Sequence, residues 1–178
     1  RQAATLAEFA PALAARVEWL DDLPPTFSGC LIANEVLDAM PTHAVRWQAD
    51  GVYERGVAVV DERLSWAELA NDETRFDGPE NRDISPLDFP YDGEISLAAS
   101  AWVSTLARRL SAGALLLIDY GLPQHELYHP SRNGGTIRCH YRHRVHNDPF
   151  WCPGLSDITS RVDFTAGAEA GFGAGLEV

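Results

Sequence analysis

The chain is 178 residues long, 46% hydrophobic and 22% charged, enough for one globular domain with a sizeable core and too apolar for disorder. Its formal net charge of −12 excludes general attraction to nucleic acid or an anionic membrane, which carry the same sign, so such a partner would need a local basic patch. No apolar run approaches the ~20 residues that span a bilayer, and the three cysteines, Cys30, Cys139 and Cys152, are too widely spaced for a disulfide framework, so a reducing cytoplasm is expected.

In chain order, Leu6, Phe9, Leu13, Val17 and Leu20 recur at steps of three and four, so the spacing predicts an amphipathic helix over 5–20, ending near Asp21. The apolar run from Cys30 to Ala33, bounded by Gly29 and by Asn34 and Glu35, fits a strand buried on both faces, as in parallel sheets. The next stretch alternates and carries Asp50-Gly51, which predicts a β-hairpin excursion over 43–66. Asp, Asn, Pro and Gly are dense from Asn71 to Gly93, which predicts an exposed loop. Ile95, Ala98, Ala99, Trp102, Leu106 and Leu110 share a face, so a helix is expected over 94–112, stopped by Gly113.

The run ALLLIDYG (114–121) reads as the second buried strand. Residues 122–155 show no periodicity, and so long a loop in a compact domain is usually functional. The end of the chain, DFTAGAEAGFGAGLEV, reads as a capped, glycine-weakened helix followed by the start of one more strand. Buried strands alternating with amphipathic helices predict an α/β fold, an open sheet with helices on both faces. Ligands then sit beyond the carboxyl ends of the strands.

That rule singles out Asn34-Glu35 and Asp119-Tyr120-Gly121. Glu35 and Asp38 lie three apart, so a helical turn there would project both carboxylates from one side. Such a pair could grip a guanidinium group, or it could simply answer a helix dipole. Asp119 closes an apolar run, where it could hydrogen-bond a ligand or cap the turn with Gly121.

RCHYRHRVHNDPF (138–150) concentrates three arginines and three histidines in an acidic chain. His140, His143 and His146 would lie near one face of a helix, with Cys139 beside them. Yet Arg142 and Arg144 would set fixed cations next to a metal, and neither a cysteine-pair pattern nor HExxH is present, which disfavours zinc. Phosphate contacts and base stacking by these arginines and Tyr141 would run against the charge of the rest of the chain. An exposed basic loop paired with acids elsewhere is the plain alternative. Gly134-Gly135 upstream permits a close approach by a ligand or another segment. No GxSxG elbow or activated cysteine marks a nucleophile.

Taken together and in this order, LIANEVLDAMP, ALLLIDYG, YHPSRNGGTIRCHYRHRVHNDPF and PGLSDITSRVDFTA resemble the MidA family of S-adenosylmethionine-dependent methyltransferases. The family's mitochondrial members are complex I assembly factors acting as protein arginine methyltransferases. The resemblance implies a class I methyltransferase, a Rossmann-like three-layer sandwich, transferring methyl from S-adenosylmethionine without a metal. The family's glycine-rich loop and ribose-binding acid precede the matched region and its final strands follow it, so this chain is expected to be a single partial domain of weak stability.

The resemblance also implies roles. Asn34 would face the cofactor, and Glu35 with Asp38 would fix an arginine guanidinium. Asp119 and Tyr120 would line the substrate side. The loop would fold over the strand ends with Tyr141, Arg142, His143 and Arg144 toward the cleft, and His143 would accept the released proton. The partner implied is a protein substrate, such as a respiratory-complex subunit, with neither nucleic acid nor membrane insertion. The competing readings are a non-catalytic assembly module on the same fold, and a zinc or nucleic-acid binding protein built on the histidine-arginine loop.

Overall fold

The computed structural model describes residues 1–69 and 89–178. It opens with two short helices, α1 (Gln2–Phe9) and α2 (Pro11–Ala14). The single helix expected over 5–20 does not form. Pro11 has no amide hydrogen and disfavours helix in the residue before it, and Ala10 accordingly sits at φ −146° and ψ 59°. Neither helix buries a residue, and Phe9, Leu13 and Leu20 remain exposed.

After β1 (Phe27–Asn34), the chain makes β2 (His43–Gln48), β3 (Gly51–Val60), β4 (Arg63–Glu68) and β5 (Tyr91–Ile95). The last four form one antiparallel sheet, ordered β4-β3-β2-β5. A hairpin turn forms one position before the expected Asp50-Gly51, at Ala49-Asp50, with Gln48 opposite Gly51, and the excursion is a sheet rather than a lone hairpin. Of the loop expected over 71–93, residues 71–88 lie outside the described residues. Tyr91 to Gly93 are strand, because Tyr91, Gly93 and Ile95 alternate inward onto Val45 and Trp47 and build the first core cluster.

The helix expected over 94–112 is trimmed at both ends to α3 (Leu97–Arg109). Glu94 and Ile95 pair with β2, and the Ser96 hydroxyl then accepts the Ala99 amide at 3.3 Å as an N-cap. Leu110 already belongs to β6 (Leu110–Ile118), which runs parallel to β1. Gly113 stops nothing. It lies within β6 at φ +136°, where a Cβ would collide with the backbone of Gly29 in β1.

The remaining elements are short: β7 (Gly121–Leu122), α4 (Gln124–Leu127), a 3-10 turn at Pro130–Arg132, β8 (Arg138–Tyr141), β9 (Arg144–His146), β10 (Asp157–Thr159) and β11 (Val162–Asp163). The stretch 122–155 is thus not a structureless loop. Its strands are too short to show a period of two, and they form a small sheet ordered β10-β8-β9. The chain finishes with α5 (Phe164–Gly173), capped by Asp163, whose carboxylate accepts the Ala166 amide at 2.9 Å. No strand follows it.

Leu37, Val103 and Val162 form the second core cluster, joined by Leu117 from β6 and Ala170 from α5. Leu117 turns toward α3 and α5, while Ile32, Leu116 and Ile118 share the other face of the β1–β6 pair and are exposed. Burial on both faces, expected from the sequence, is therefore not met within this chain. No helix among the described residues is long and apolar enough to cross a membrane.

Candidate active site

The site begins where β1 ends. The Glu35 amide donates to the Ile118 carbonyl at 2.9 Å, one step past the β1–β6 ladder, and the chain then turns with Glu35 at φ 51°. That left-handed conformation costs a residue with a Cβ about 1 kcal/mol, and such outliers persist where surrounding structure enforces them. Here the enforcing group is Asp119. One of its carboxylate oxygens accepts the amides of Val36, Leu37 and Asp38 at 3.1, 2.8 and 3.3 Å, and the other accepts the Tyr120 amide at 2.8 Å.

The segment after β1 is therefore a backbone nest around a carboxylate, and not the helical turn expected from the Glu35 and Asp38 spacing. Asp119 is turned to the protein's own backbone. Leu37 is buried against Val103 and Val162. Glu35 is exposed and Asp38 half-buried. Among the described residues neither the Asn34 carboxamide nor the Glu35 carboxylate has a hydrogen-bond partner. Burial, and after it the negative charges of Asp119 and Glu35, push the Asp38 carboxyl above its ordinary value. A cation placed between Glu35 and Asp38 would reverse that effect.

Asp38 lines a largely apolar cavity of about 450 Å³, together with Val57, Leu64, Trp66, Ile137 and Phe150. Trp66 meets Phe150 edge-on, with ring centroids 5.0 Å apart, so the antiparallel sheet and the segment after β9 close on each other here. A second cavity, polar and of about 350 Å³, shares Trp66, Ile137 and Pro149 with the first. Arg55, Arg132, Arg138 and Arg161 line it.

A half-buried carboxylate organises this second cavity. Glu94 accepts the Thr136 amide and hydroxyl at 2.8 and 3.0 Å and the Ile137 amide at 3.4 Å. Burial pushes its pKa up, and the Thr136 and Ile137 donors, and after them the charge of Arg138, pull it back. Gly135, at φ +84°, is what lets the chain come so near, since a Cβ there would collide with the Glu94 carboxylate. The close approach permitted by Gly134-Gly135 is thus made by another segment of the chain. Gly135→Ala is expected to destabilise the protein by about 2 kcal/mol, from the strained φ and the clash together. A melting temperature equal to wild type would show that Glu94 can move aside.

The structure does not bring the other expected site residues to these cavities. Tyr141 and Arg144 close a hairpin between β8 and β9, whose two-residue turn is Arg142 at φ 46° and His143 at φ 65°. Tyr141 packs edge-on against Trp151 at 5.2 Å, and the Arg142 guanidinium lies 5.2 Å from the centre of the Tyr141 ring. Arg142, His143 and Arg144 are exposed and line neither cavity. Tyr120 is exposed at the end of β6.

His140, His143 and His146 lie along a hairpin rather than a helix, and among the described residues no group of three or more metal-binding side chains forms. His146 is turned inward, edge-on to Trp151 at 4.9 Å. Sequence reasoning missed Arg55, Trp66, Glu94 and Arg161 as site residues, and weighed Arg138 only as a possible phosphate contact. They come from separate elements, and only Gly134-Gly135 hinted at the packing that gathers them.

Similar proteins carry the same fold. A crystal structure of an uncharacterised superfamily protein from Burkholderia thailandensis superposes with a TM-score of 0.88 at 47% identity, over 98% of this chain and 46% of that one. A second Burkholderia thailandensis structure, bound to S-adenosyl-homocysteine, gives 0.84 at 48% identity, over 98% and 45%. Among curated proteins, the mitochondrial protein arginine methyltransferase NDUFAF7 of Danio rerio is 28% identical over 155 residues, 82% of this chain and 33% of that protein. The Caenorhabditis elegans homologue is 28% identical over 152 residues, with the same shares.

This chain thus spans about a third of the curated relatives and just under half of the solved ones. The family model described as "Putative S-adenosyl-L-methionine-dependent methyltransferase" matches residues 1–178, and with the α/β architecture around the ends of β1 and β6 it places this chain in that family, as the resemblance to MidA implied.

Proposed function

We propose that this chain forms the substrate-facing part of a protein arginine N-methyltransferase. The observation that carries the reading is Glu35, an unpartnered carboxylate held in a strained conformation at the carboxyl end of a parallel strand, three residues before Asp38, which lines the apolar cavity. The exposed carboxamide of Asn34, also without a partner, fits one edge of S-adenosylmethionine. Neither β1 nor β6 is followed by a glycine-rich turn, so the part of the cofactor that such a turn holds would be bound elsewhere in the complete protein. The cofactor supplies an electrophilic methyl group on a sulfonium.

The chain's own residues do the positioning. The apolar walls of the cavity take the aliphatic part of the arginine side chain. Glu35 and Asp38 bind its guanidinium with charge-assisted hydrogen bonds and fix its plane, so that a terminal nitrogen stays aimed outward. Asp38, hydrogen-bonded to the guanidinium, receives the proton lost from that nitrogen as it is methylated and passes it to solvent. His143, on its exposed turn, is left to contact the body of the protein substrate with Tyr141, Arg142 and Arg144. Asp119 and Tyr120 act from the substrate side, Asp119 through the nest it holds.

The relatives named as arginine methyltransferases support this substrate, the resemblance to MidA supports a respiratory-complex subunit as target, and the unpaired cysteines support a cytoplasmic setting. The exposed hairpin tip favours one second reading, an assembly module that holds a partner and transfers nothing.

The test is methyl transfer from S-adenosylmethionine to arginine peptides by the complete protein, read by mass spectrometry. Asp38→Asn is the informative variant. Because the folded pKa of Asp38 is raised, its ionisation opposes folding as pH rises through that pKa. The variant is therefore expected to melt on the order of 1 °C higher at neutral pH. Its peptide binding should weaken roughly tenfold. In the wild type, peptide binding should fall as acid protonates Asp38, and the variant should lose that limb. A variant with unchanged transfer and pH profile would remove Asp38 from the mechanism.

A further inference from the structure

We propose that the polar cavity is a subsite for an acidic side chain of the protein substrate, lying next to the target arginine in sequence. The inference rests on the arginine methyltransferase reading and specifies what surrounds the arginine. In a chain of net charge −12, this cavity gathers Arg55, Arg132, Arg138 and Arg161. Its own acids do not answer them all. Asp92 is taken by Arg46, at 2.6 and 2.8 Å, and by Arg55 at 2.8 Å. Glu94 is taken by Thr136 and Ile137, and its charge faces Arg138 at longer range without an ion-pair contact.

Among the described residues no carboxylate lies within ion-pair distance of Arg132, Arg138 or Arg161. Arg132 and Arg138 each donate to a single backbone carbonyl, of Glu126 and Ile137, which leaves most of each guanidinium fork free. The local field is positive where the protein as a whole is negative, and it is formed by the side chain best suited to bidentate recognition of a carboxylate.

The partner is a residue of the same substrate because of where the cavity lies. It shares Trp66, Ile137 and Pro149 with the apolar cavity that ends at Asp38. A peptide whose arginine occupies the apolar cavity has its neighbouring residues at this shared wall. Carboxylates at one end and guanidinium groups at the other would read an arginine and an acid together, and would reject the reversed order by placing like charges face to face. Arg138 and Arg161 are exposed at the cavity's edge and can meet a ligand without rearrangement of the core.

The experiment uses the complete protein and fluorescein-labelled peptides, each with one arginine in a glycine-serine background. Glutamate is stepped through the flanking positions, and each peptide is paired with one carrying glutamine instead. Binding is read by anisotropy and methyl transfer by mass spectrometry on the same peptides. At one or two positions glutamate is expected to bind about tenfold tighter than glutamine, with the preference shrinking as salt rises. Arg138→Gln and Arg161→Gln, each checked for wild-type melting and S-adenosylmethionine binding, should bring the ratio toward unity, and Arg138→Lys should restore part of it. Absence of a glutamate preference at every position, including failure of every peptide to bind, overturns the subsite. Methyl transfer without that preference would leave the methyltransferase reading standing while the subsite falls. A preference without transfer would do the reverse.

Discussion

Asp119→Ala is expected to abolish activity and to cost about 4 kcal/mol of stability, since it removes the acceptor of four backbone amides and leaves several of them partly buried and unpaired. Its carboxylate is the tie between the end of β6 and the segment after β1, so its loss frees Glu35 and Asp38 together. Asp119→Asn keeps the shape and one acceptor oxygen, but turns an NH₂ group toward either the nest or the Tyr120 amide. It should therefore lose roughly half of that stability. Thermal melting and S-adenosylmethionine binding by the complete protein check this. If Asp119→Ala melted like wild type but lost transfer, Asp119 would act on a ligand directly and the nest would hold without it.

Glu35→Gln should lower methyl transfer by roughly 100-fold while leaving the fold and S-adenosylmethionine binding intact. Glutamine keeps the length of the side chain but replaces a charged acceptor by a neutral amide, which binds a guanidinium weakly and shows it two unwanted hydrogens. Glu35→Gly completes the argument. It relieves the left-handed conformation, so it should raise stability by about 1 kcal/mol while activity is lost. A residue kept at a cost to the fold is a residue held for function. Should Glu35→Gln retain full transfer, with Glu35→Gly stabilised, the strain would have no catalytic meaning, and the assembly-module reading would come forward.

Much of the fold was legible because its signals are local. The apolar runs that became β1 and β6, the hairpin turn beside Asp50-Gly51 and the Asp163 cap each follow from residues a few positions apart, and each is found where the pattern put it, the turn one position earlier. The misread elements were ones where a non-local or single-residue effect prevailed. Pro11 cut a helical stripe that looked continuous, and pairing with β2 drew Glu94 and Ile95 out of the helix that their spacing suggested. The strands of the 138–159 sheet are each too short for periodicity to register.

The sequence by itself determined the alternation of strand and helix, the excess of negative charge, the family resemblance, and the two strand ends where chemistry is expected. It also singled out three acids, Glu35, Asp38 and Asp119. Only the tertiary structure decided their division of labour, because a carboxylate's role depends on which donors reach it through space. Asp119 meets amides more than eighty residues away in sequence and becomes structural, while Glu35 meets none and stays available. The arginines divided in the same way. Arg142 and Arg144 of the conspicuous histidine-arginine stretch lie at an exposed tip, whereas Arg138 from its start is drawn, with Arg55 and Arg161 from elsewhere in the chain, to one cavity by the packing of the antiparallel sheet against the Gly134-Gly135 segment.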